Sequence, residues 1–405
     1  MNSKQHTCPC RLGVIASHFI QYQAPIWREL AKRPEVDLTV YYLSDQGRRT
    51  GFDPEFRQTF RWDIPLDEGY KWELLPGAAG TSPGSRQHRW NLSPACKVYE
   101  NAADVFMRSD YDSAGAVTFF YTCLVKGVPV LYRGETTLMH ENPRNAAIKR
   151  RILGPVFQRI VYVLATGKLT YEYALSFMVS PERIIPSPYN VDDVYWGNAA
   201  CKWLPQRVDL LRDLGLPPDR PVILFCGKVI EKKRPLDLTR AVCLLARSRP
   251  VSLLVVGTGN QLEEMKRIVS TCPAVSAYFA GFANQSQLPR LYAASDIICL
   301  PSSGTETWGL VVNEAMYFGC VPVVSERVGC APDLVEGIGE VHSVGNVAGI
   351  ASSIEEVLGD LEGRRQRIPE RISQYSLQRA VDGIVAGAIR ATGLLEKKKT
   401  SQLPC

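Results

Sequence analysis

The chain has 405 residues, of which 45% are hydrophobic and 22% are charged, and its formal net charge is +6. A chain of this length suits two domains, and so mild a charge, without a long basic tract, argues against a nucleic-acid partner. No stretch approaches the ~20 uninterrupted apolar residues that a membrane-spanning helix needs, and the polar N-terminus lacks the apolar core of a signal peptide. We therefore expect a cytoplasmic protein.

The first half of the chain shows strand and helix patterns in irregular order. Apolar runs at 12–16, 36–43 and 128–133 predict strands, and the pattern at 26–31 predicts a helix. Residues 142–160 are basic and amphipathic, which suits either a helix with its apolar face in the core or a helix that lies on an anionic membrane.

A proline-punctuated segment at 186–192 separates the two halves and predicts a connector between domains. We accordingly expect an N-terminal domain at 1–190 and a C-terminal domain at 191–376. The lysine-containing end of the chain, 396–405, predicts a solvated and disordered tail.

The second half alternates regularly between apolar runs and helical patterns. Such alternation, with continuously apolar strands, predicts a parallel sheet that is covered by helices on both faces. Ligands of these sheets bind at the carboxyl ends of the strands. The predicted strands are 222–226, 252–256, 275–280, 297–300 and 321–324.

Two glutamates eight residues apart follow the predicted strand at 297–300. Glu306 lies in a loop and Glu314 on the second turn of the next helix, so at most roughly 12 Å would separate them. The start of that helix falls between them, and its free backbone N–H groups would suit a phosphate. This layout suits a sugar nucleotide, with one carboxylate on sugar hydroxyls, the amides on the diphosphate and the other carboxylate on the ribose.

A basic loop, Gly227 to Lys233, follows the predicted strand at 222–226. Flexible ammonium groups such as those of Lys228 and Lys233 can neutralise a diphosphate, and Lys232 is an alternative to Lys233. A second glycine turn, which contains Gly259, follows the next strand, although a single pair of glycines is weak evidence for a nucleotide site.

The Glu-x7-Glu spacing and the upstream basic loop resemble the retaining glycosyltransferases of family 4, the group 1 glycosyltransferases. This resemblance implies the GT-B fold, an α/β architecture with two Rossmann-like parallel-sheet domains that face each other across a cleft. It also implies that the last helix, about 377–395, packs back on the first domain.

The implied activity is a hexosyltransferase-type reaction. A sugar would move from a nucleoside diphosphate sugar, such as a UDP or GDP sugar, to a hydroxyl of a saccharide or lipid-linked acceptor, with retention of anomeric configuration. Polysaccharide, lipopolysaccharide or glycolipid biosynthesis is the implied setting, and the inner face of the membrane is an implied peripheral location.

The resemblance also assigns roles to residues. It implies catalytic roles for Glu306, Lys228 and Lys233, although Lys228 stands where the family usually carries an arginine, so bidentate recognition is lost. No metal and no other cofactor are expected, because the sequence has no Asp-x-Asp or histidine cluster near the phosphate site. The implied donor-binding residues are Gly227, Gly259, Phe282, Thr307, Trp308, Gly309, Leu310 and Glu314.

The acceptor side would lie in the first domain. Its candidate residues are His18, Gln23, Arg133 and Glu135. Glu135 stands near the point where many family members carry a histidine, so a role based on histidine is in doubt there.

Two other functions stay open at this stage. A nucleotide-sugar 2-epimerase of GT-B-like fold would use acid–base groups in the first domain and need no acceptor. A non-catalytic nucleotide-sugar-binding protein would be expected to have lost Glu306, Glu314 or Lys228, and all three are present.

Overall fold

The chain forms two compact units in a computed structural model that describes residues 8–53, 58–304 and 306–400, without the side chains of 52–53 and 394–400. The first unit draws its residues from Met1–Arg49, Pro65–Pro188 and Leu377–Cys405, and the second unit from Thr50–Ile64 and Tyr189–Ser376. The main division therefore falls just before the predicted boundary at residue 190. None of the helices in the described part of the chain combines the length and apolarity needed to cross a bilayer.

The first half of the chain contains short strands and helices of varied length. In chain order they are β1 (Cys10–Ala16), α1 (Ala24–Leu30), β2 (Val36–Tyr42), β3 (Gly51–Asp53), β4 (Gln58–Phe60), β5 (Trp72–Leu74), α2 (Arg86–Arg89), α3 (Ser93–Tyr99), β6 (Val105–Arg108), α4 (Ala114–Lys126), β7 (Val130–Tyr132), α5 (Pro143–Phe157), β8 (Val161–Ala165), α6 (Lys168–Ser176) and β9 (Ile184–Pro186).

The sheet of the first unit has the strand order β5-β2-β1-β6-β7-β8-β9 among the described residues, and its neighbouring strands are parallel. Its inner strands are apolar because helices cover both faces; β8, for example, is buried at every residue. Local signals set the helix ends: the Ser113 hydroxyl accepts the Ala116 N–H at the start of α4, and Gly127, with a φ of 68°, ends that helix.

The second half of the chain is more regular. In chain order it contains α7 (Asp193–Trp203), α8 (Arg207–Asp213), β10 (Val222–Cys226), α9 (Pro235–Leu245), β11 (Val251–Val256), α10 (Leu262–Ser270), β12 (Val275–Gly281), α11 (Leu288–Ala293), β13 (Ile297–Leu300), α12 (Leu310–Met316), β14 (Val321–Ser325), β15 (Glu340–His342), α13 (Val347–Gly359), α14 (Leu361–Ser373) and α15 (Leu377–Thr400).

The sheet of the second unit has the order β12-β11-β10-β13-β14-β15 among the described residues, again with parallel neighbours. Continuous apolar strands alternating with helices produce this topology, and the prediction of two α/β parallel-sheet units is confirmed. In each unit the strand order reverses once, between β1 and β6 in the first and between β10 and β13 in the second. Such switch points are where open α/β sheets bind ligands.

Helix α15 belongs to the first unit, although it follows the second unit in sequence. Small residues permit its close approach: a Cβ on Gly383 would lie 2.1 Å from the Pro186 carbonyl oxygen. The Ser187 hydroxyl also donates to the Ala380 carbonyl at 2.9 Å. The helix continues to Thr400, so the first five residues of the predicted tail at 396–405 are helical, and the last five lie outside the described residues.

The antiparallel hairpin β3–β4 departs from the predicted domain ranges. Its residues precede the boundary at 190, yet Thr50–Ile64 groups with the second unit. Neither parallel sheet includes these strands, and Phe60 instead packs on Phe282, with ring centroids 4.5 Å apart. The Asn284 amide adds a hydrogen bond to the Arg61 carbonyl at 2.7 Å. The assignment of 1–190 to one domain is therefore wrong at this hairpin.

Candidate active site

The sequence-predicted donor residues meet at the switch point of the second sheet. Gly227 directly follows β10, and the loop that contains Glu306 follows β13, the adjacent strand. Because the carboxyl ends of parallel strands lie at one edge, the topology brings both loops to the same crevice. The structure therefore gathers the basic loop and the two glutamates in one region of the second unit.

Two glycine loops join tightly at this crevice. The Val229 N–H donates to the Thr258 carbonyl at 2.8 Å. A Cβ on Gly257 would lie 1.9 Å from the Gly227 oxygen, and one on Gly259 would lie 2.2 Å from the Val229 oxygen. Both loop glycines also have positive φ angles, 136° and 156°, a region that favours glycine. Gly257 and Gly259 are thus required for the approach of two backbone segments.

Glu306 and Lys233 form an ion pair that the sequence did not predict. The Lys233 Nζ donates to Glu306 Oε2, and the Ser302 hydroxyl donates to the same oxygen at 3.1 Å. Both charged side chains are largely sheltered, with 20% of Lys233 and 15% of Glu306 exposed. The pair orients the carboxylate, and it is Lys233 that the structure places beside Glu306. Lys232, the alternative, is exposed, and its carbonyl accepts the Ser303 N–H.

Backbone contacts fix the loop that carries Glu306. Its carbonyl accepts the Gly329 N–H at 2.9 Å, and its backbone forms a bridge with Val328. Lys228, on the opposite loop, is half-buried between Gly227 and Val229. The carboxylate of Glu306 and the basic loop are thus positioned by two adjacent strands.

Glu314 is a buried carboxylic acid with one strong hydrogen bond. It lies on α12, 9% of the residue is exposed, and the Tyr292 hydroxyl donates to Oε2 at 2.6 Å. Burial raises the pKa of Glu314 to about 7, although the Tyr292 hydrogen bond opposes this shift. Burial also holds the pKa of Tyr292 well above its usual value, so that its hydroxyl stays a donor. Near neutral pH the Glu314 carboxyl can therefore both donate and accept hydrogen bonds.

The Trp308 side chain is part of the core of the second unit. It is 4% exposed, its Nε1 donates to Asn313 Oδ1 at 2.7 Å, and its ring stacks on Tyr189 with centroids 5.4 Å apart. Any donor contact at this position is thus limited to the backbone, as it is at Gly309, where a Cβ would lie 2.9 Å from Leu300. Gly309 directly precedes α12, which is only seven residues long.

Phe282 and the remaining predicted donor residues lie on the same edge of the sheet. Phe282 follows β12 and is half-buried, with Phe60 against its ring. Thr307 and Leu310 flank the Trp308–Gly309 segment and are half-buried. These positions are compatible with the predicted donor contacts, which stay predictions.

The four acceptor-side candidates lie around the switch point of the first sheet but do not form one cluster. Gln23 and Arg133 share a cavity wall with Arg108. His18 and Glu135 are not on that wall.

The sequence missed Arg108, Tyr292 and Ser302, because each is a common residue type outside any spacing pattern.

Hydrogen bonds show how two of these candidates are used. His18 lies beside the Ser17 hydroxyl, 2.8 Å from its Nδ1, and burial lowers the pKa of His18 to about 4, so it is neutral at pH 7. Glu135 accepts a hydrogen bond from the Tyr22 hydroxyl at 3.3 Å. Neither His18 nor Glu135 therefore adds a charged group to the wall of the cavity.

Solved structures identify the fold class of the chain. It superposes on a glycosyltransferase from Rickettsia africae with a TM-score of 0.68 at 13% identity, over 94% of this chain and 98% of that one. For Anabaena HepE in complex with UDP-glucose the TM-score is 0.63 at 17% identity, over 94% of this chain and 100% of that one. At such identities the likeness shows the fold alone, and it confirms the prediction of a GT-B fold.

The family comparison identifies the second unit more closely. The model for glycosyl transferases group 1 matches residues 207–374. Over those residues the chain is therefore similar to the group 1 glycosyltransferases, in agreement with the resemblance noted in the sequence.

Curated relatives match the chain over part of their length. A sulfoquinovosyl transferase of Arabidopsis thaliana is 31% identical over 153 residues, 36% of this chain and 28% of that protein. A 2-deoxystreptamine glucosyltransferase of Streptomyces kanamyceticus is 33% identical over 165 residues, 38% and 41% of the two chains. A phosphatidyl-myo-inositol mannosyltransferase of Mycolicibacterium smegmatis is 26% identical over 230 residues, 55% and 56% of the two chains. The chain thus spans between 28% and 56% of these relatives.

Proposed function

We propose that the protein is a glycosyltransferase that moves a sugar from a nucleoside diphosphate sugar to an acceptor hydroxyl. The observation that carries this proposal is the convergence of Glu306, Lys233 and Glu314 with two glycine loops at the switch point of a group 1 glycosyltransferase domain. A site that combines cations, backbone amides and sheltered carboxylates suits a ligand that carries both a diphosphate and two sugars.

The cations would act mainly on the leaving group. As the bond to the sugar breaks, negative charge grows on the departing diphosphate, and Lys228, Lys233 and the backbone amides at 308–310 would stabilise it. Because Lys233 already binds Glu306, its ammonium is positioned between a carboxylate and the incoming phosphate rather than free to rotate in solvent. The same ion pair would aim Glu306 at the sugar hydroxyls.

Glu314 would bind the ribose. A ribose presents two neighbouring hydroxyls that both donate and accept, and a carboxyl whose pKa is about 7 can match them in either protonation state. The Tyr292 hydrogen bond fixes one oxygen of this carboxyl, which leaves the other oxygen for the ligand.

The finer assignments follow from family resemblance. We infer retention of anomeric configuration, no metal requirement and a role in polysaccharide, lipopolysaccharide or glycolipid biosynthesis. The solved complex of Anabaena HepE with UDP-glucose makes UDP sugars the first donors to test. The relative that is named a phosphatidyl-myo-inositol mannosyltransferase supports a lipid acceptor as one of the candidates.

Helix α5 supports a peripheral contact with an anionic membrane. No residue of the helix before Leu153 is buried, and Ile148 and Ile152 are 60% and 43% exposed. Arg144 and Arg151 are exposed on the same helix. Outward isoleucines beside arginines are typical of helices that lie in the interface of an anionic bilayer, which would bring the protein to a lipid-linked acceptor.

A donor screen tests the proposed function. The protein is incubated with UDP, GDP and ADP sugars, each with a saccharide and a lipid acceptor, and release of the diphosphate and transfer of the sugar are both measured. Transfer that Glu314→Gln abolishes and Glu263→Gln preserves would support the proposal, since Glu263 is an exposed glutamate of the same unit. Sugar epimerisation without an acceptor would favour an epimerase, and binding without turnover would favour a binding protein.

A further inference from the structure

Arg108 is a buried cation at the switch point of the first sheet. It ends β6, the strand beside β1 where the strand order reverses, and it is 2% exposed. Its Nε and Nη2 donate to the two carboxylate oxygens of Asp110, each at 2.9 Å. Its Nη1 is buried and has no hydrogen-bond partner among the described residues. Since an unpaired buried donor destabilises the fold, and more so when it is charged, this nitrogen requires an acceptor atom.

A small cavity lies beside this guanidinium. Its wall includes Arg108, Gln23 and Arg133, and its volume is about 20 Å³. That volume accommodates about one oxygen atom of a ligand or of a water molecule. The residues come from the carboxyl ends of β6 and β7 and from the loop after β1, the edge at which such sheets bind ligands.

The charge on this wall favours an anion. Two arginines, Arg108 and Arg133, line the cavity, and none of its described lining residues carries a carboxylate. Asp110 pairs with Nε and Nη2 of Arg108, which leaves Nη1 for a further acceptor. Arg133 is held in place by the Ser187 hydroxyl and the Pro188 carbonyl, both at 3.0 Å. Arginine forks match carboxylate and phosphate oxygens better than they match neutral hydroxyls.

We propose that Arg108, Arg133 and Gln23 bind an anionic oxygen of the acceptor, from a carboxylate or a phosphate group. The proposal rests on the proposed glycosyltransferase function and deepens it, because it names a chemical class of acceptor. An acceptor anchored in this way presents its hydroxyl from a fixed charged group, whereas a neutral sugar of the same shape offers Arg108 Nη1 only a hydroxyl oxygen, a weaker acceptor for a guanidinium.

The direct test titrates the full chain with inorganic phosphate and, separately, with acetate at constant ionic strength, by calorimetry. Gln23→Glu places a carboxylate on the cavity wall without a change of shape, and we expect it to weaken binding of the preferred anion about tenfold or more. Gln21→Glu is the matched control, because it makes the same change of charge two residues away and off the wall. Arg108→Lys keeps the charge but loses the fork, and we expect intermediate binding.

Phosphate could also occupy the diphosphate site of the second unit, so Lys228→Met is titrated in parallel. Binding that Gln23→Glu removes and Lys228→Met preserves would support the acceptor site. Binding with the opposite dependence, or none of either anion, would overturn it.

Transfer assays with the active donor separate the two anion sources. Glucose, glucuronate and glucose 6-phosphate differ at one position, and preference for one of the charged acceptors identifies carboxylate or phosphate. Equal use of glucose would contradict the proposal while leaving the glycosyltransferase function intact. Failure of every donor would count against the proposed function alone, because the anion titration is independent of the donor.

Discussion

The two sheets reverse their strand order in the same way, but the residues at their two candidate sites are distributed differently along the sequence. The site of the second unit is made from short continuous motifs, with Gly227 to Lys233 after β10 and Glu306 to Glu314 after β13. The proposed anion site of the first unit is made from single residues such as Gln23, Arg108 and Arg133, which lie far apart in sequence. A site made of motifs can be found in the sequence, whereas for one made of single residues the sequence offered Gln23 and Arg133 among four candidates, and only the fold added Arg108.

The largest effect is expected from a substitution where the two glycine loops of the second unit contact each other. Gly259→Ala places a Cβ 2.2 Å from the Val229 carbonyl at a φ of 156°. We expect a loss of at least ~3 kcal/mol in the free energy of unfolding, measured by urea denaturation. Gly197→Ala is the control, because its Cβ meets nothing within 4 Å. Equal stability of the two variants would show that the loops can separate without cost.

The second prediction uses the raised pKa of Glu314. Its folded-state pKa is about 7, above the ordinary value of 4.5, so the protonated form stabilises the fold. This stability is fully present below pH 4.5 and is lost as the pH rises through 7, up to about 3 kcal/mol. The side chain introduced by Glu314→Gln cannot ionise, so the unfolding free energy of this variant should increase relative to that of the wild type between pH 5 and pH 8. If the free energy of unfolding depended on pH in the same way in both proteins, folding would not raise the pKa of Glu314.

The third prediction concerns the ion pair of Lys233 with Glu306. Lys233→Met should lower kcat/KM about 100-fold, because a cation close to the departing diphosphate is lost. Lys232→Met removes an equal charge from the adjacent, exposed position and should change kcat/KM little. Reversed effects would mean that Lys232 carries the role, the alternative that the sequence left open.

The smallest expected effect tests the proposed membrane contact of helix α5. Replacing Arg144 and Arg151 by Gln should weaken binding to phosphatidylglycerol vesicles by ~1 kcal/mol per arginine in a sedimentation assay, and added salt should weaken it further. Ile148→Asp should act in the same direction, whereas Ile389→Asp, at an exposed position of α15, should not. Equal binding to neutral phosphatidylcholine vesicles would contradict an electrostatic contact.

The contrast between the units also explains what the sequence could predict. The bounds of β10 are those of the apolar run at 222–226, because a strand buried on both faces is apolar throughout. The partner of Glu314 could not be predicted, since Tyr292 lies 22 residues away on another helix. The placement of β3–β4 was missed because it depends on the packing of Phe60 on Phe282, which has no local signal.

Hydrogen–deuterium exchange with a nucleoside diphosphate tests the central claim, that the donor binds at the switch point of the second sheet. The full chain is measured with and without UDP, GDP and ADP, beside Lys233→Met. The account predicts that one diphosphate slows exchange in the loops after β10, β11 and β13, and that Lys233→Met abolishes this protection. Protection confined to other segments, or protection that survives Lys233→Met unchanged, would contradict it.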